Sequence, residues 1–151
     1  YYRNKLLQGE VHDENAYILG GISTHAGLFS NAYDIGIFSK MLLDDGVHLG
    51  RRYLKKNIIN KFTQRYNVPH GSDRTIGWDT PSQDGRSSAG DYFSNKTYGH
   101  LGFTGTSLWI DPEQDIIVVL LTNRVHPTRN KKGIYQVRRD FHNALLEIIG
   151  D

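Results

Sequence analysis

The sequence predicts an α+β fold with about three antiparallel strands packed against a long C-terminal helix. Apolar residues recur at helical spacing before position 66 and again after position 131. Between these segments, Ile116–Leu121 form a continuous apolar run of strand length, which indicates a central strand covered on both faces. We interpret the chain as one partial domain, with a helical and loop segment at 1–66, a loop-rich segment with a short strand at 67–96, and a strand hairpin with the C-terminal helix at 97–151.

Composition is that of an ordinary globular domain and excludes several classes of partner. Of the 151 residues, 38% are hydrophobic and 23% are charged, and the formal net charge is +2. Without a concentrated basic stripe, this balance predicts no nucleic-acid partner. The absence of cysteine excludes disulfides and thiolate metal sites, and no apolar run approaches the roughly 20 residues of a membrane span. Because the chain opens on Tyr1, with neither an initiator Met nor a targeting pattern, we expect a longer parent protein.

The pattern of residues 1–66 predicts a loop interrupted by glycines, followed by two helices. Four glycines within residues 1–30 interrupt any long element, so we expect a short helix near Arg3–Leu7 and then ordered loop. A helix follows from Asn31, which can cap it, and Gly46 ends it. A second helix is predicted over about Leu54–Gln64.

The later part of the chain has strand patterns and one long helix. A short strand is predicted at Thr75–Asp79, and two longer ones at Tyr98–Ile110 and Ile116–Asn123 flank a Pro-containing turn. The last helix is predicted over about Lys131–Ile149. The stripe of this helix that should pack on the sheet consists of Ile134, Val137, Phe141, Leu145 and Ile148.

Polar side chains in the first segment are candidates either for a metal site or for bonding within the loop: His12, Asp13, Glu14, Asn15 and His25. Their spacings match no metal signature. We therefore favour loop bonding, in which Asp13 and Asn15 accept from backbone groups nearby. The remaining histidines outside the strands are expected to be solvated: His48, His70, His126 and His142.

Two groups of segments, which together cover nearly the whole chain, resemble one known family. The first group is Gly9–Ala16, Leu19–Gly21 and His25–Ser30, and the second is Tyr98–Gly105, Trp109–Pro112 and Thr122–Arg124. In order and spacing they resemble the serine β-lactamases, penicillin-binding proteins and DD-peptidases. Within that family the resemblance is to modules fused behind family 3 β-N-acetylglucosaminidases of Bacteroidetes-like bacteria. It implies that the chain is the C-terminal part of the β-lactamase and transpeptidase fold.

Enzymes of this family use a Ser-x-x-Lys helix, a Tyr-x-Asn loop and a Lys-Thr-Gly strand. His100-Leu101-Gly102 resembles the His-x-Gly form of the strand motif. The resemblance implies that His100 supplies a cation or proton donor, that Gly102 admits an acyl substrate, and that the Phe103 N–H is half of an oxyanion hole. It assigns substrate contact to Leu101, Gly102, Thr104 and Gly105. The alternatives are a satisfied strand histidine at His100 and a bulge or bend at the two glycines.

The nucleophile of the family is missing from the sequence. No serine is followed by lysine three residues on, and Ser94-Asn95-Lys96 is one residue too short. Tyr2-Arg3-Asn4 spells Tyr-x-Asn, but in the resembled family the Gly9–Ala16 segment lies well beyond that motif, so we interpret the match as coincidental. Because nucleophile and base act as a unit, we expect the isolated chain to be inactive.

The resemblance implies a serine hydrolase in the longer parent, which would act on a β-lactam, peptide or ester by acyl transfer and hydrolysis, without metal or organic cofactor. Its partners would be an acyl substrate and the N-terminal remainder of the same protein, and its location the periplasm or cell envelope. The alternative is a non-catalytic module that binds cell-wall peptide or supports a neighbouring glycosidase, and a Ser-x-x-Lys upstream would decide. A glycosidase site built on Asp13-Glu14 alone is disfavoured. An unpaired edge at Tyr98–Ile110 or Thr75–Asp79 predicts self-association of the isolated chain.

Overall fold

The computed structural model describes residues 3–150, which fold as two compact units that meet in sequence between Asn31 and Ala32. The Tyr-x-Asn triplet that begins at Tyr2 lies partly outside the described residues. Within residues 3–150, no helix has both the length and the apolarity to cross a membrane. The elements in chain order are α1 Glu14–Ile18, α2 Ala32–Leu43, β1 Val47–His48, β2 Arg51–Arg52, α3 Lys56–Thr63, β3 Tyr98–Leu101, β4 Ser107–Asp111, β5 Ile116–Leu120 and α4 Ile134–Gly150.

The first unit contains one short helix, α1, in a stretch that was predicted to be loop. The Asp13 side chain caps α1 at its N-terminus, which is the local bonding expected of this residue. The short helix predicted near Arg3–Leu7 does not form. Instead the guanidinium of Arg3 donates to the carbonyls of Val11 and His12, at 2.6 and 2.9 Å, and ties this stretch to the chain just before α1.

In the second unit, the two helices predicted after residue 31 are both present, as α2 and α3. Gly46 follows α2 with φ +85°, and its N–H donates to the Met41 carbonyl at 2.9 Å. A Cβ at this position would overlap the Leu54 carbonyl, so only glycine fits where the chain turns towards α3. The helices pack on one face of the sheet in a core of Met41, Leu42, Ile59, Tyr98 and Ile110.

The sheet contains three antiparallel strands in the order β3-β4-β5. The prediction of a single strand over Tyr98–Ile110 is wrong, because the chain folds back at residues 102–106. The two halves of that stretch, β3 and β4, pair with each other, with Tyr98 opposite Ile110. β4 and β5 are joined by the predicted Pro-containing turn, with Asp111 opposite Ile116.

The short strand predicted at Thr75–Asp79 is also wrong. Asp79 makes isolated bridges to Arg74 and to Gly99 of β3, but no continuous strand forms. The reason lies in Gly77, whose φ of +91° turns the chain inside the segment. Among the residues that the structure describes, the outer edge of β3 is therefore paired only at Gly99.

The helix α4 packs on the opposite face of the sheet, through residues that the apolar pattern did not predict. Its buried residues are Arg138, His142 and Leu146, spaced four residues apart. Of the predicted stripe, Val137 is 52% exposed and Ile148 is 76% exposed. The packing stripe was misassigned because two of the three buried side chains are polar and satisfy hydrogen-bond acceptors on the sheet and on a neighbouring loop.

His142 shows this most clearly. Its Nδ1 lies 3.0 Å from the carbonyl oxygen of Ser88 and its Nε2 lies 3.4 Å from the hydroxyl of Ser107, while Phe93 packs edge-on against the ring. Burial lowers the pKa of His142, which favours the neutral imidazole with Nδ1–H donating to Ser88. The expectation that this histidine is solvated is wrong.

Asp111 joins the β4–β5 turn to the loop that precedes β3. Its carboxylate is fully buried and accepts from the N–H and hydroxyl of Ser94, both at 2.7 Å, and from the N–H groups of Glu113 and Gln114, at 2.9 and 3.2 Å. Burial alone would raise the pKa of Asp111, but the hydrogen bonds that the carboxylate accepts, those from Ser94 first among them, together outweigh burial and hold the pKa below its ordinary value. One carboxylate thus anchors two segments on the α4 side of the sheet.

The free edge of the sheet predicts self-association of the isolated chain, at a different place from that expected from the sequence. Within the described residues, β5 pairs with β4 alone, whereas the outer edge of β3 is bonded at Gly99. We therefore expect the 151-residue chain to dimerise or aggregate through β5. Leu121→Lys, at the exposed end of this edge, should shift the chain towards monomer, as measured by light scattering at high concentration.

Leu49→Lys is the matched control for this prediction, because Leu49 is 91% exposed but lies in the β1–β2 turn. It should leave the oligomeric state of the chain unchanged. A stable wild-type monomer at high concentration, or equal effects of the two lysines, would contradict association through β5.

Candidate active site

The six candidate site residues lie on one hairpin. His100 and Leu101 end β3, and the turn that leads into β4 contains the four residues 102–105. The Gly105 N–H donates to the Gly102 carbonyl at 3.0 Å, and the Gly102 N–H donates to the Thr106 carbonyl at 2.8 Å. Backbone hydrogen bonds therefore close the turn between β3 and β4.

The outer edge of β3 becomes available beyond Gly99. At Gly99 itself this edge is occupied, because Gly99 exchanges two backbone hydrogen bonds with Asp79, at 2.8 and 2.9 Å. In an antiparallel strand, outward-directed N–H and C=O groups recur at every second residue, so those of Leu101 point to the same edge. An extended acyl substrate can add at this edge as a further strand. The substrate-binding role predicted for Leu101 would accordingly use its backbone.

His100 reaches the same edge with its side chain. Its imidazole is exposed, and Nδ1 lies 3.0 Å from the carbonyl oxygen of Leu101. Side chains alternate along a strand, so His100 shares the sheet face of Tyr98, which is part of the core under α2. The histidine therefore stands where that covered face meets the open strand edge, and a protonated imidazole there can donate to a substrate.

Gly102 and Gly105 are required by the turn itself. A Cβ at Gly102 would overlap the hydroxyl of Thr106, and a Cβ at Gly105, where φ is +111°, would overlap the hydroxyl of Thr122. The bend considered as an alternative for these glycines is thus present. Substrate contact by Gly102, Thr104 and Gly105 stays a prediction.

Arg138 of α4 holds this turn from the side of the sheet on which α4 packs, and the sequence analysis missed it. The side chain is buried, with 3% of the residue exposed. Its Nη2 donates to the carbonyls of Gly102 and Thr106, at 2.8 and 2.6 Å, and its Nε donates to that of Gly105 at 3.3 Å. Burial lowers the pKa of Arg138, and a guanidinium nevertheless stays charged at neutral pH. No side-chain pattern marked this arginine in the sequence, because its partners are backbone carbonyls.

Arg124 holds the turn through the segment that follows β5. Its Nε donates to the Phe103 carbonyl at 2.7 Å and its backbone N–H donates to the Thr104 carbonyl at 2.9 Å. The guanidinium lies 4.4 Å from the centre of the Phe103 ring and also donates to the carbonyls of Arg129 and Lys131. The Thr-Asn-Arg segment noted in the sequence is therefore a structural support of the candidate site.

A second polar arrangement lies within the first unit. The Ser23 hydroxyl is 2.6 Å from Nδ1 of His25, and Nε2 of His25 is 3.0 Å from the carboxylate of Asp13. The order serine, histidine, carboxylate is that of a hydrolase triad, but the two ring nitrogens are exchanged relative to the standard arrangement. The hydrogen bond from the Ala16 N–H, together with that from His25, lowers the pKa of Asp13. These contacts are the loop bonding that we favoured over a metal site for this segment.

Activation of Ser23 is weakened by solvent. The side chains of His25 and Asp13 are 49% and 36% exposed, so their mutual attraction is screened. The Asp13 oxygen that faces His25 is also the one that caps α1. Within residues 3–150, no group of three or more histidine and carboxylate side chains is arranged to hold a metal ion.

Comparison with known sequences gives matches along most of the chain. A family model described as "Beta-lactamase" matches residues 3–142. A "Putative D-alanyl-D-alanine carboxypeptidase" of Salmonella gallinarum is 38% identical over 136 residues, which are 86% of this chain and 30% of the relative. The protein of the same name from Salmonella typhi is 37% identical with the same coverage. The chain thus spans about 30% of the length of these curated relatives.

Comparison with solved structures supports the fold. The crystal structure of a β-lactamase from Mycobacterium bovis matches with a TM-score of 0.63 and 20% sequence identity, over 87% of this chain and 52% of that one. At this identity the likeness concerns architecture only. It confirms the predicted α+β class, with an antiparallel sheet and a long C-terminal helix.

Proposed function

Because the chain belongs to the β-lactamase family, we propose that it is the part of a serine hydrolase that lines the substrate site, with the nucleophile supplied by the rest of a longer protein. One observation carries the proposal: His100-Leu101-Gly102 borders the open edge of β3 and leads directly into a turn held by two arginines. The matched span is about 30% of the relatives' length, so the activity of the whole protein is part of the proposal.

The reaction that suits this site is acyl transfer through a serine ester. The serine oxygen adds to the substrate carbonyl while its proton passes to the base of the upstream Ser-x-x-Lys motif, which later returns it to the leaving group. The carbonyl oxygen becomes an oxyanion that the Phe103 N–H stabilises together with a second donor. The intermediate collapses and expels an amine or alcohol, which takes up a proton. Water then hydrolyses the ester and frees the enzyme. His100 would donate to substrate at the strand edge, and Leu101, Gly102, Thr104 and Gly105 would line its path.

The proposed substrate is a peptide or β-lactam that carries a carboxylate. This choice is supported by the name of the curated relatives, which refers to removal of a terminal D-alanine, and by the position of a protonatable His100 at the strand edge. Such peptides belong to the cell wall, so we place the longer protein in the cell envelope.

The alternative function is a non-catalytic module that binds cell-wall peptide or supports a fused glycosidase. The open edge of β3 can bind an extended peptide whether or not a serine lies nearby. The two functions differ in one respect: an upstream Ser-x-x-Lys in the longer protein supports the enzyme, and its absence supports the module.

We expect no serine of the isolated 151-residue chain to be acylated by a fluorescent penicillin or a fluorophosphonate. The chain has no Ser-x-x-Lys. Within residues 3–150, Ser23 is the one serine with a histidine and a carboxylate in series, and solvent screens the attraction between those two partners. Intact-mass spectrometry of treated protein measures this directly. The longer protein is the positive control and should gain one adduct, on the serine of its upstream motif.

Two results would contradict these statements separately. An adduct on the isolated chain that disappears in Ser23→Ala would show an active serine in the first unit and overturn the expected inactivity. A longer protein that contains Ser-x-x-Lys but takes up neither probe would overturn the proposed hydrolase and leave the binding module.

A further inference from the structure

The carbonyl groups of the β3–β4 turn are all bonded by residues from later in the chain or by the turn itself. Arg138 donates to three of them and Arg124 to the other two. The five carbonyls belong to the consecutive residues Gly102, Phe103, Thr104, Gly105 and Thr106. Five successive peptide units therefore have their orientation fixed by donors that face their oxygens.

The orientation of the first of these peptide units matters for the proposed chemistry. In a trans peptide the C=O and the N–H point in opposite directions. The Gly102 oxygen accepts from Arg138 at 2.8 Å and from the Gly105 N–H at 3.0 Å. The N–H of the same peptide unit belongs to Phe103, and it must point away from Arg138. It is the group assigned to the oxyanion hole.

We propose that Arg138 is a positioning residue for acyl transfer, which acts through the Gly102 carbonyl to aim and polarise the Phe103 N–H. This inference rests on the proposed function. A carbonyl that accepts from a cation strengthens the donor at the other end of its own amide, since hydrogen bonds in series polarise one another. Arg138 does not touch the substrate, and its effect reaches the oxyanion through one peptide unit.

Arginine is suited to this position for a geometric reason. A planar guanidinium bonds three carbonyls at once, here those of Gly102, Gly105 and Thr106. A lysine at 138 would keep the charge but would lack the fork, that is, the pair of guanidinium nitrogens Nε and Nη2 that bonds the three carbonyls of the turn. Loss of the fork lets the Gly102–Phe103 peptide rotate, so the donor is present but not aimed.

The test uses the longer protein and two probes, a chromogenic ester and phenylboronic acid, whose tetrahedral serine adduct places an oxygen at the oxyanion position. Arg138→Met is expected to lower kcat by about tenfold, a part of the loss that follows removal of an oxyanion donor. The affinity for phenylboronic acid should fall by a similar factor, while KM for the ester stays within about twofold. For Arg138→Lys, kcat and the affinity for phenylboronic acid should lie between those of wild type and those of Arg138→Met.

Arg139→Met is the matched control. Arg139 is the next residue of α4, and its guanidinium likewise donates to backbone carbonyls, those of Gly85 and Ser87. It should alter stability without the loss of kcat and boronate affinity. Equal kinetics for the Arg138 and Arg139 variants, with an active wild type, would overturn the role of Arg138 and leave the hydrolase standing. A wild type inert towards both probes would overturn the hydrolase and, with it, the positioning role.

If Arg138→Met fails to fold, the kinetics of Arg138→Lys test the positioning role of Arg138 instead. A folded Arg138→Lys with wild-type kcat and boronate affinity would exclude the positioning role, since only the fork is lost. A folded Arg138→Lys that loses kcat and boronate affinity together, at unchanged KM, would support it.

Discussion

Asp111→Ala should lower the free energy of unfolding by about 3–5 kcal/mol, because it leaves four part-buried donors without an acceptor at about 1 kcal/mol each, the lower end of the cost of an unsatisfied group. The donors are the N–H and hydroxyl of Ser94 and the N–H groups of Glu113 and Gln114. Asp111→Asn should cost less, since it retains one acceptor oxygen. Urea denaturation followed by circular dichroism measures both changes. Glu113→Ala is the control, because the Glu113 side chain is exposed and only its backbone bonds Asp111.

The contribution of Asp111 also has a defined pH dependence. Its pKa in the folded chain lies below the ordinary value of 3.8, so the folded state favours the carboxylate. The stabilisation is therefore fully present above about pH 4 and is lost as the pH falls through the lowered folded pKa. The difference between wild type and Asp111→Ala should shrink in the same range. A difference of less than about 1 kcal/mol at pH 7 would show that the two segments do not depend on this carboxylate.

His100→Ala in the longer protein should reduce kcat/KM for acyl transfer by about tenfold to a hundredfold. A charged hydrogen bond to substrate in a partly dehydrated site contributes about 1–3 kcal/mol, which corresponds to this loss. The exposed imidazole has few packing contacts to lose, so the melting temperature should change little. Phe103→Ala should affect turnover less than His100→Ala, because the proposed role of Phe103 uses only its backbone N–H.

Measurement of kinetics and melting temperature on the same His100 variant separates a substrate contact from a structural histidine. A structural role would lower the melting temperature and spare turnover in the protein that remains folded. For Phe103→Ala, loss of the ring that lies 4.4 Å from the Arg124 guanidinium should cost about 0.5–1 kcal/mol of stability. Unchanged kinetics in His100→Ala would overturn its assignment to the site.

The sequence predicted those features that depend on neighbouring residues. The α2 helix and the β4–β5 turn both follow from local patterns. The hairpin within Tyr98–Ile110 was missed because Gly102 and Gly105, which lie in its turn, were assigned to substrate contact within a single strand.

The packing of α4 and the supports of the site could not be predicted in this way. Arg138 and Arg124 act on carbonyls that lie far from them in sequence, and carbonyls leave no signature in a pattern of side chains. The apolar pattern of α4 predicted the wrong face of the helix as the one that packs on the sheet. The face that does pack carries Arg138 and His142, whose acceptors are carbonyls of the β3–β4 turn and of the loop after residue 85. Buried arginines in a helix are therefore informative about where backbone acceptors lie.

The bonds from Arg138 to the turn also determine when, during synthesis of the chain, the candidate site can reach its final geometry. They join residues 32 to 36 positions apart, and Arg138 lies in the last helix. During synthesis from the N-terminus, the ribosome releases His100 and Phe103 well before the arginine that fixes the peptide between Gly102 and Phe103. A growing chain, or one truncated before α4, has the candidate site residues without their final geometry. The arrangement of the candidate site is therefore completed only after α4 has been synthesised, when the rest of the sheet can already form.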